Sequence, residues 1–196
     1  MTVAVINAQA YAYRRVLQIL DDQINTQIGT AETAAGVYLP DVDNDSIHLF
    51  GSKDEADEAV VNARVWICIY PTDDSYEVLI RGVGDGVAEH REVIWPVTVE
   101  LRCEDAPAAT LVLDDQTASS SWSRWTWRRM HYAGALQHTM EVYVPSNTAG
   151  EDARCAELVG GPIYSTDGAI GSVVTEWEIG QEFVIPWPTH SIADPT

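Results

Sequence analysis

Lysine is almost missing from this chain: Lys53 is the only one among 196 residues, and arginine supplies the other basic side chains of a total of 11, against 30 acidic ones. A protein so short of positive charge has no basic stripe with which to neutralise phosphates, which argues against sequence-specific nucleic-acid binding. Long apolar runs are also missing. No eighteen consecutive apolar residues occur, and the opening Met-Thr-Val-Ala-Val-Ile-Asn has no basic n-region, so neither a membrane span nor an export signal is expected. Cysteine is sparse as well. Cys68, Cys103 and Cys155 are odd in number, far apart and without a CxxC pair, which excludes a zinc or redox-dithiol motif and predicts buried free thiols. The sequence contains no GxSxG, no HExxH and no cysteine next to a histidine, so the common nucleophile and metalloprotease signatures are absent.

What is abundant is negative charge. A net charge of −19 self-repels across a screening length of ~8 Å at ordinary ionic strength, whereas in molar salt that length falls to ~3 Å. The hyperacidic, lysine-poor balance resembles proteins of salt-accumulating haloarchaea and their viruses. Acidic proteins of high-GC organisms share the preference for arginine. With 46% hydrophobic residues the chain has enough apolar material for one globular domain.

Periodicity gives the architecture. Tyr13, Leu17, Leu20, Ile24 and Ile28 recur at helical spacing, predicting a helix over about 8–28, capped by Asn7, stapled by Ile6 on Tyr11 and closed by Gly29. Residues 36–60 form an acidic loop with a helical turn near 53–61. Strands are predicted at Arg64–Tyr70, Tyr76–Val83 and Arg91–Cys103, in the last of which Val93, Trp95, Val97, Val99 and Leu101 share one face and Pro96 marks an edge or bulge. Further strands are expected at Ala109–Leu113, Thr139–Val144, Ser172–Ile179 and Gln181–Trp187, the last two as a hairpin turning at Gly180. The expected fold is therefore α+β: an N-terminal amphipathic helix packed on a mainly antiparallel sheet, with a β-rich C-terminal half and long loops. Residues 1–185 form the single domain, 104–138 an insertion or interface segment, and 186–196 an extended tail.

Three groups of residues have the chemistry of a site. Asp41, Asp43 and Asp45 have the one, three, five spacing of half a calcium loop, but Ser46 and Ser52 stand where a glycine and a bidentate glutamate are needed, so a solvated acidic loop is preferred. His131, His138 and Glu141 are suitable ligand types at a spacing that matches no zinc motif. Gly82-Val-Gly84-Asp-Gly86 lacks the lysine and the helix of a phosphate cradle and reads as a turn. No metal or cofactor is expected.

The remaining anomaly is Ser121-Trp-Ser-Arg-Trp-Thr-Trp-Arg-Arg129, the one basic spot in the chain. Trp122, Arg124, Trp125, Trp127, Arg128 and Arg129, with Trp187 from the tail, are the interface candidates, since tryptophan and arginine dominate contact energetics. Core tryptophans are the competing reading. Exposed rings stacking on sugars or on single-stranded nucleic acid are others.

An N-terminal amphipathic helix, an irregular acidic loop, a short strand ending in Tyr70-Pro71 and a longer one containing Val97-Thr-Val-Glu-Leu-Arg-Cys103 follow one another in an order that resembles tail-terminator and head-to-tail connector proteins of tailed viruses. The resemblance spans about residues 7–103 and rests on element order. It implies a non-enzymatic virion protein that forms rings, contacts neighbouring virion proteins and is assembled in the host cytoplasm. An acidic inner surface would let DNA pass by like-charge repulsion. After Cys103 the family has a helix on its sheet where this chain offers the Trp and Arg segment and extra strands, which leaves other tail or baseplate components open. A β-rich carbohydrate-binding module, or a hydrolase using the 41–58 acids, are the readings from other classes.

Overall fold

A computed structural model describes residues 3–36, 38–72, 81–84, 88–104, 124–145, 153–167 and 170–186, with side chains described at 12–36, 38–72, 94–104, 128–145, 155–167 and 170–180. The fold is α+β. The elements run α1 (Val3–Ala35), β1 (Ile47–Leu49), α2 (Lys53–Glu58), β2 (Val65–Pro71), β3 (Arg81–Gly84), β4 (Ala88–Cys103), α3 (Arg124–Tyr143), β5 (Ala153–Asp167) and β6 (Ile170–Pro186). The strands form one sheet in the order β1-β2-β4-β6-β5, with β3 paired to β4 beyond the end of β2. Every pairing is antiparallel except β1 on β2.

The predicted stripe of α1 is in place: Tyr13, Leu20, Ile24 and Ile28 are buried and Leu17 packs against them. The ends differ from the sequence reading. The helix passes through both Asn7 and Gly29 and stops at Gly36, whose φ of +63° supplies the left-handed terminus. Gly29 does not end it because Ala31 and Ala35 continue the apolar stripe onto the core. At 33 residues the helix is about 50 Å long.

One face of the sheet meets both long helices. Val65, Ile67 and Ile69 of β2, Trp95, Val97, Val99, Leu101 and Cys103 of β4, and Val173, Trp177 and Ile179 of β6 alternate onto it and are buried against α1 and α3. Inside this layer the Trp177 indole N–H donates to Thr175 Oγ1 (2.9 Å), which donates to the Val99 carbonyl (3.0 Å), so the buried polar atoms satisfy one another. Arg15 of α1 closes the other end of the helix pair. Its guanidinium donates to the carbonyls of Tyr143 and Val144 (3.2 Å each), the end of α3 where dipole and unpaired acceptors favour a cation.

Four expectations are corrected. Thr139–Val144 is the last turn of α3 and its exit, because Arg128, Tyr132, Leu136 and Met140 form a buried stripe every fourth residue that carries the helix past the β-branched run. Helix α3 also crosses the expected boundary at 138, so the latter part of 104–138 belongs to a core helix. Ser172–Ile179 and Gln181–Trp187 do not make a hairpin, since Gly180 lies inside β6, opposite Ile94 on one side and Cys155 on the other. Pro96 is on a central strand, in the gap between the β2 pairing, which ends at Val97, and the β3 pairing, which starts at Glu92. Its carbonyl accepts from the Tyr13 hydroxyl instead (3.1 Å). The expected strand at Ala109–Leu113 and the tail after Pro186 lie outside the described residues.

Two of the strands were not anticipated. β1 lies within the presumed acidic loop, and β5 carries register shifts on either side of Gly160 that break its alternation. Gly161 has φ +90° and a Cβ there would sit 2.5 Å from the Val174 carbonyl, so this irregular stretch requires glycine.

Candidate functional site

The acidic loop is a built structure. Asn25 of α1 clamps it, donating Nδ2 to the Val42 carbonyl (2.9 Å) and accepting the Val42 N–H (2.8 Å), while the buried Tyr132 hydroxyl donates to the Pro40 carbonyl (2.7 Å). Asp43 starts a tight turn in which the Ser46 N–H reaches the Asp43 carbonyl (3.1 Å) and Asp45 takes φ +58°, a conformation that aspartate tolerates. The Asp43 carboxylate accepts the Arg64 N–H at the start of β2. Asp41, Asp43 and Asp45 therefore do not converge. Among the described residues no group of three or more His, Cys, Asp or Glu side chains is placed to hold a metal, and this includes His131, His138 and Glu141. Glu141 instead accepts from Gln137 (3.0 Å), and His138 meets the Tyr143 ring edge-on.

The basic spot lies at the start of α3. Arg128 is 3% exposed, so its guanidinium is inside the chain and is removed from the set of contact candidates. Arg129 lies over the Tyr164 ring, 4.6 Å from its centre, and ties α3 to β5. Arg124, Trp125 and Trp127 belong to the first turns of α3 by backbone, their side chains falling outside the described residues, as do Trp122 and Trp187 altogether.

The sheet's second face carries a cluster that the sequence reading did not find. Trp66, Cys68 and Tyr70 of β2 point away from the main core and are buried beneath α2 with Ala56 and Ala63. Beside them, Glu100 of β4 accepts from the Tyr70 hydroxyl (3.0 Å) and from Arg102 (2.8 Å), and Arg102 also donates to the Ala56 carbonyl (2.9 Å) and pairs with Asp57. Burial pushes the Cys68 thiol up to about 11, so while it is buried it is held as the neutral thiol at ordinary pH. Burial and the neighbouring Glu100 carboxylate raise Tyr70. Burial alone would lower Arg102, but Glu100 and Asp57 hold it above its usual range as a permanent cation. Burial pushes Asp57 upward, and Lys53 and Arg102 pull it below its usual range. Its stabilisation is therefore complete above the ordinary carboxylate range and lost as pH falls through the depressed value. Of the cysteines, Cys68 and Cys103 are buried as expected, whereas Cys155 on β5 is exposed.

Further along this face the chemistry is acidic. Glu157 of β5 and Glu178 of β6 are direct cross-strand partners, with Glu176 two residues along β6 on the same side. Directly opposed like charges destabilise a ladder. Glu178→Gln is expected to stabilise the protein by about 0.2–1 kcal/mol at low ionic strength and to have no effect in molar salt, read from urea midpoints at the two salt concentrations.

Two open grooves lie elsewhere: one of about 280 Å³ between α1 and α3, lined by Ala31, Ala34, Gly134 and His138 among others, and one of about 390 Å³ beside β1, lined by His48, Phe50, Val60 and Val61 among others. Asp45 and Ser46 also line the second groove, and there the Ser46 hydroxyl donates to the Asn44 carbonyl (3.4 Å). No helix among the described residues is long and apolar enough to cross a membrane. No protein-family profile matches the chain, and no curated protein matches it.

Proposed function

We propose that this protein is a non-enzymatic structural subunit of a virion, a ring-forming tail terminator or head-to-tail connector of a tailed virus with a halophilic host. The observation that carries this reading is the pair of dissimilar sheet edges. Among the described residues β1 ends one side of the sheet and β5 the other, with Leu49 and Val60 exposed near the first and Val159 and Ile163 on the second. Unlike edges suit head-to-tail contacts, which close into rings when the rotation between copies allows. The element order adds support, because α3 packs on the sheet at the place where the sequence reading put an insertion or interface segment and a following strand. Among the described residues, Asp43 is committed to a backbone N–H, Glu100 and Asp57 to Arg102, and Cys68 to burial. The acidic face of Glu157, Glu176 and Glu178 fits a surface that DNA passes without adhering.

Light scattering of the purified protein in ~3 M and ~0.15 M salt tests the proposal. A discrete oligomer in high salt that dissociates or unfolds on dilution is expected. A monomer at both concentrations overturns the proposal.

A further inference from the structure

We propose that α2, with the segments that flank it between residues 50 and 64, is a latched cover that swings off the second face of the sheet while the rest of the domain stays folded. The cover is a poor structure by itself. Six residues are too few for a stable helix in water, and four of these six are acidic. Its local side-chain supports are the Ser52 hydroxyl accepting the Glu55 N–H (3.2 Å), the Glu55 carboxylate accepting the Gly51 N–H (2.7 Å), and the exposed Lys53–Asp57 ion pair. Its fully apolar anchor is the Ala56 methyl group, with Ala63, Phe50 and Val61 packed nearby.

The latch comes from another strand. Arg102 on β4 reaches up to the Ala56 carbonyl near the helix C-terminus and to the Asp57 carboxylate, and it is the cation that faces the acidic underside of the cover. Glu100 holds Arg102 from below. The cluster beneath is separated from the main core by the sheet itself, so the two apolar layers share no side chains. A small layer under a short, charged helix is the kind of unit that opens locally at lower cost than the whole domain. The segment after the helix gives it a hinge. Ala59 is extended, Val60 is almost fully exposed, and the groove beside β1 lies directly against this stretch.

Three thiols in three settings make the opening measurable. Cys155 is exposed, Cys103 is buried in the main core, and Cys68 is buried under the cover. The native protein is treated with a maleimide and each cysteine is followed by peptide-mapping mass spectrometry, in the wild type and in Asp57→Asn. Asp57 is partly exposed, so this variant weakens the latch without leaving a buried charge unpaired. Cys68 is expected to react well before Cys103, and Asp57→Asn to raise the Cys68 rate by about ten-fold with Cys103 unchanged. Equal rates at Cys68 and Cys103, or a Cys68 rate that Asp57→Asn leaves as it was, overturns the cover.

Discussion

Arg102→Met is expected to cost about 3–5 kcal/mol, because it leaves the nearly buried Glu100 carboxylate without its cation. The variant also takes the Arg102 donor from the Ala56 carbonyl and leaves Asp57 with Lys53 alone. Methionine fills much of the same space, so the loss reads charge and hydrogen bonding rather than a void. Glu100→Gln alone is expected to cost far less, since an amide oxygen still accepts from Tyr70 and from Arg102. Adding Glu100→Gln to Arg102→Met should then restore much of the stability, because the buried charge is gone. Urea denaturation of the four proteins at one salt concentration measures this cycle. A cost below about 1 kcal/mol for Arg102→Met would mean that water reaches Glu100 and that the network is a surface pair in energetic terms.

The sequence shows this network only as alternation. In Val97–Cys103 the odd residues are apolar and the even ones are Thr98, Glu100 and Arg102, which reads as a core face and a solvent face. The first half is right, and the register Tyr70↔Thr98, Cys68↔Glu100, Trp66↔Arg102 explains why the second is not. The β2 side chains on that face are aromatic or thiol, they demand cover, and α2 supplies it. The signal was available in Trp66, Cys68 and Tyr70, which alternate with Val65, Ile67 and Ile69 in a strand apolar on both faces. A strand of that kind needs a layer on each side.

Helix α3 was missed although part of its signal was present. Arg128, Tyr132, Leu136 and Met140 stand at four-residue spacing, but the charge of Arg128 hides the start of the stripe, and Thr-Met-Glu-Val-Tyr-Val over 139–144 imitates a strand. Tertiary packing on α1 settles the conformation, and the buried arginine is part of that packing. What was not legible is β5. Its Gly-Gly-Pro stretch carries turn chemistry, and only its partner β6, long enough to span register shifts, keeps both halves in the sheet. The single long stripe of α1 was read correctly because nothing competes with it; its length was not, because Gly29 is tolerated where neighbouring alanines keep the helix packed.

Trp177→Ala is the companion test in the main core. The indole is fully buried between the sheet and its helices and is the largest side chain so placed among the described residues, and the close packing of a protein interior leaves little room for collapse. A loss of about 3–5 kcal/mol is expected, read as a fall in the urea midpoint with the slope unchanged. Trp177→Phe separates the two contributions of the ring. It keeps most of the volume and removes the N–H that reaches Thr175, whose hydroxyl can still donate to the Val99 carbonyl. That variant is expected to lose about 1–3 kcal/mol, well short of the alanine variant. Because Trp177 and Arg102 lie on opposite faces of the sheet and share no partner, their costs should add within about 0.5 kcal/mol. Strong non-additivity would mean that the second face and the main core unfold as one inseparable unit. It would also contradict the independence on which the latched cover depends, so the Trp177→Ala, Arg102→Met pair checks the layered reading of the fold by a route that involves no thiol.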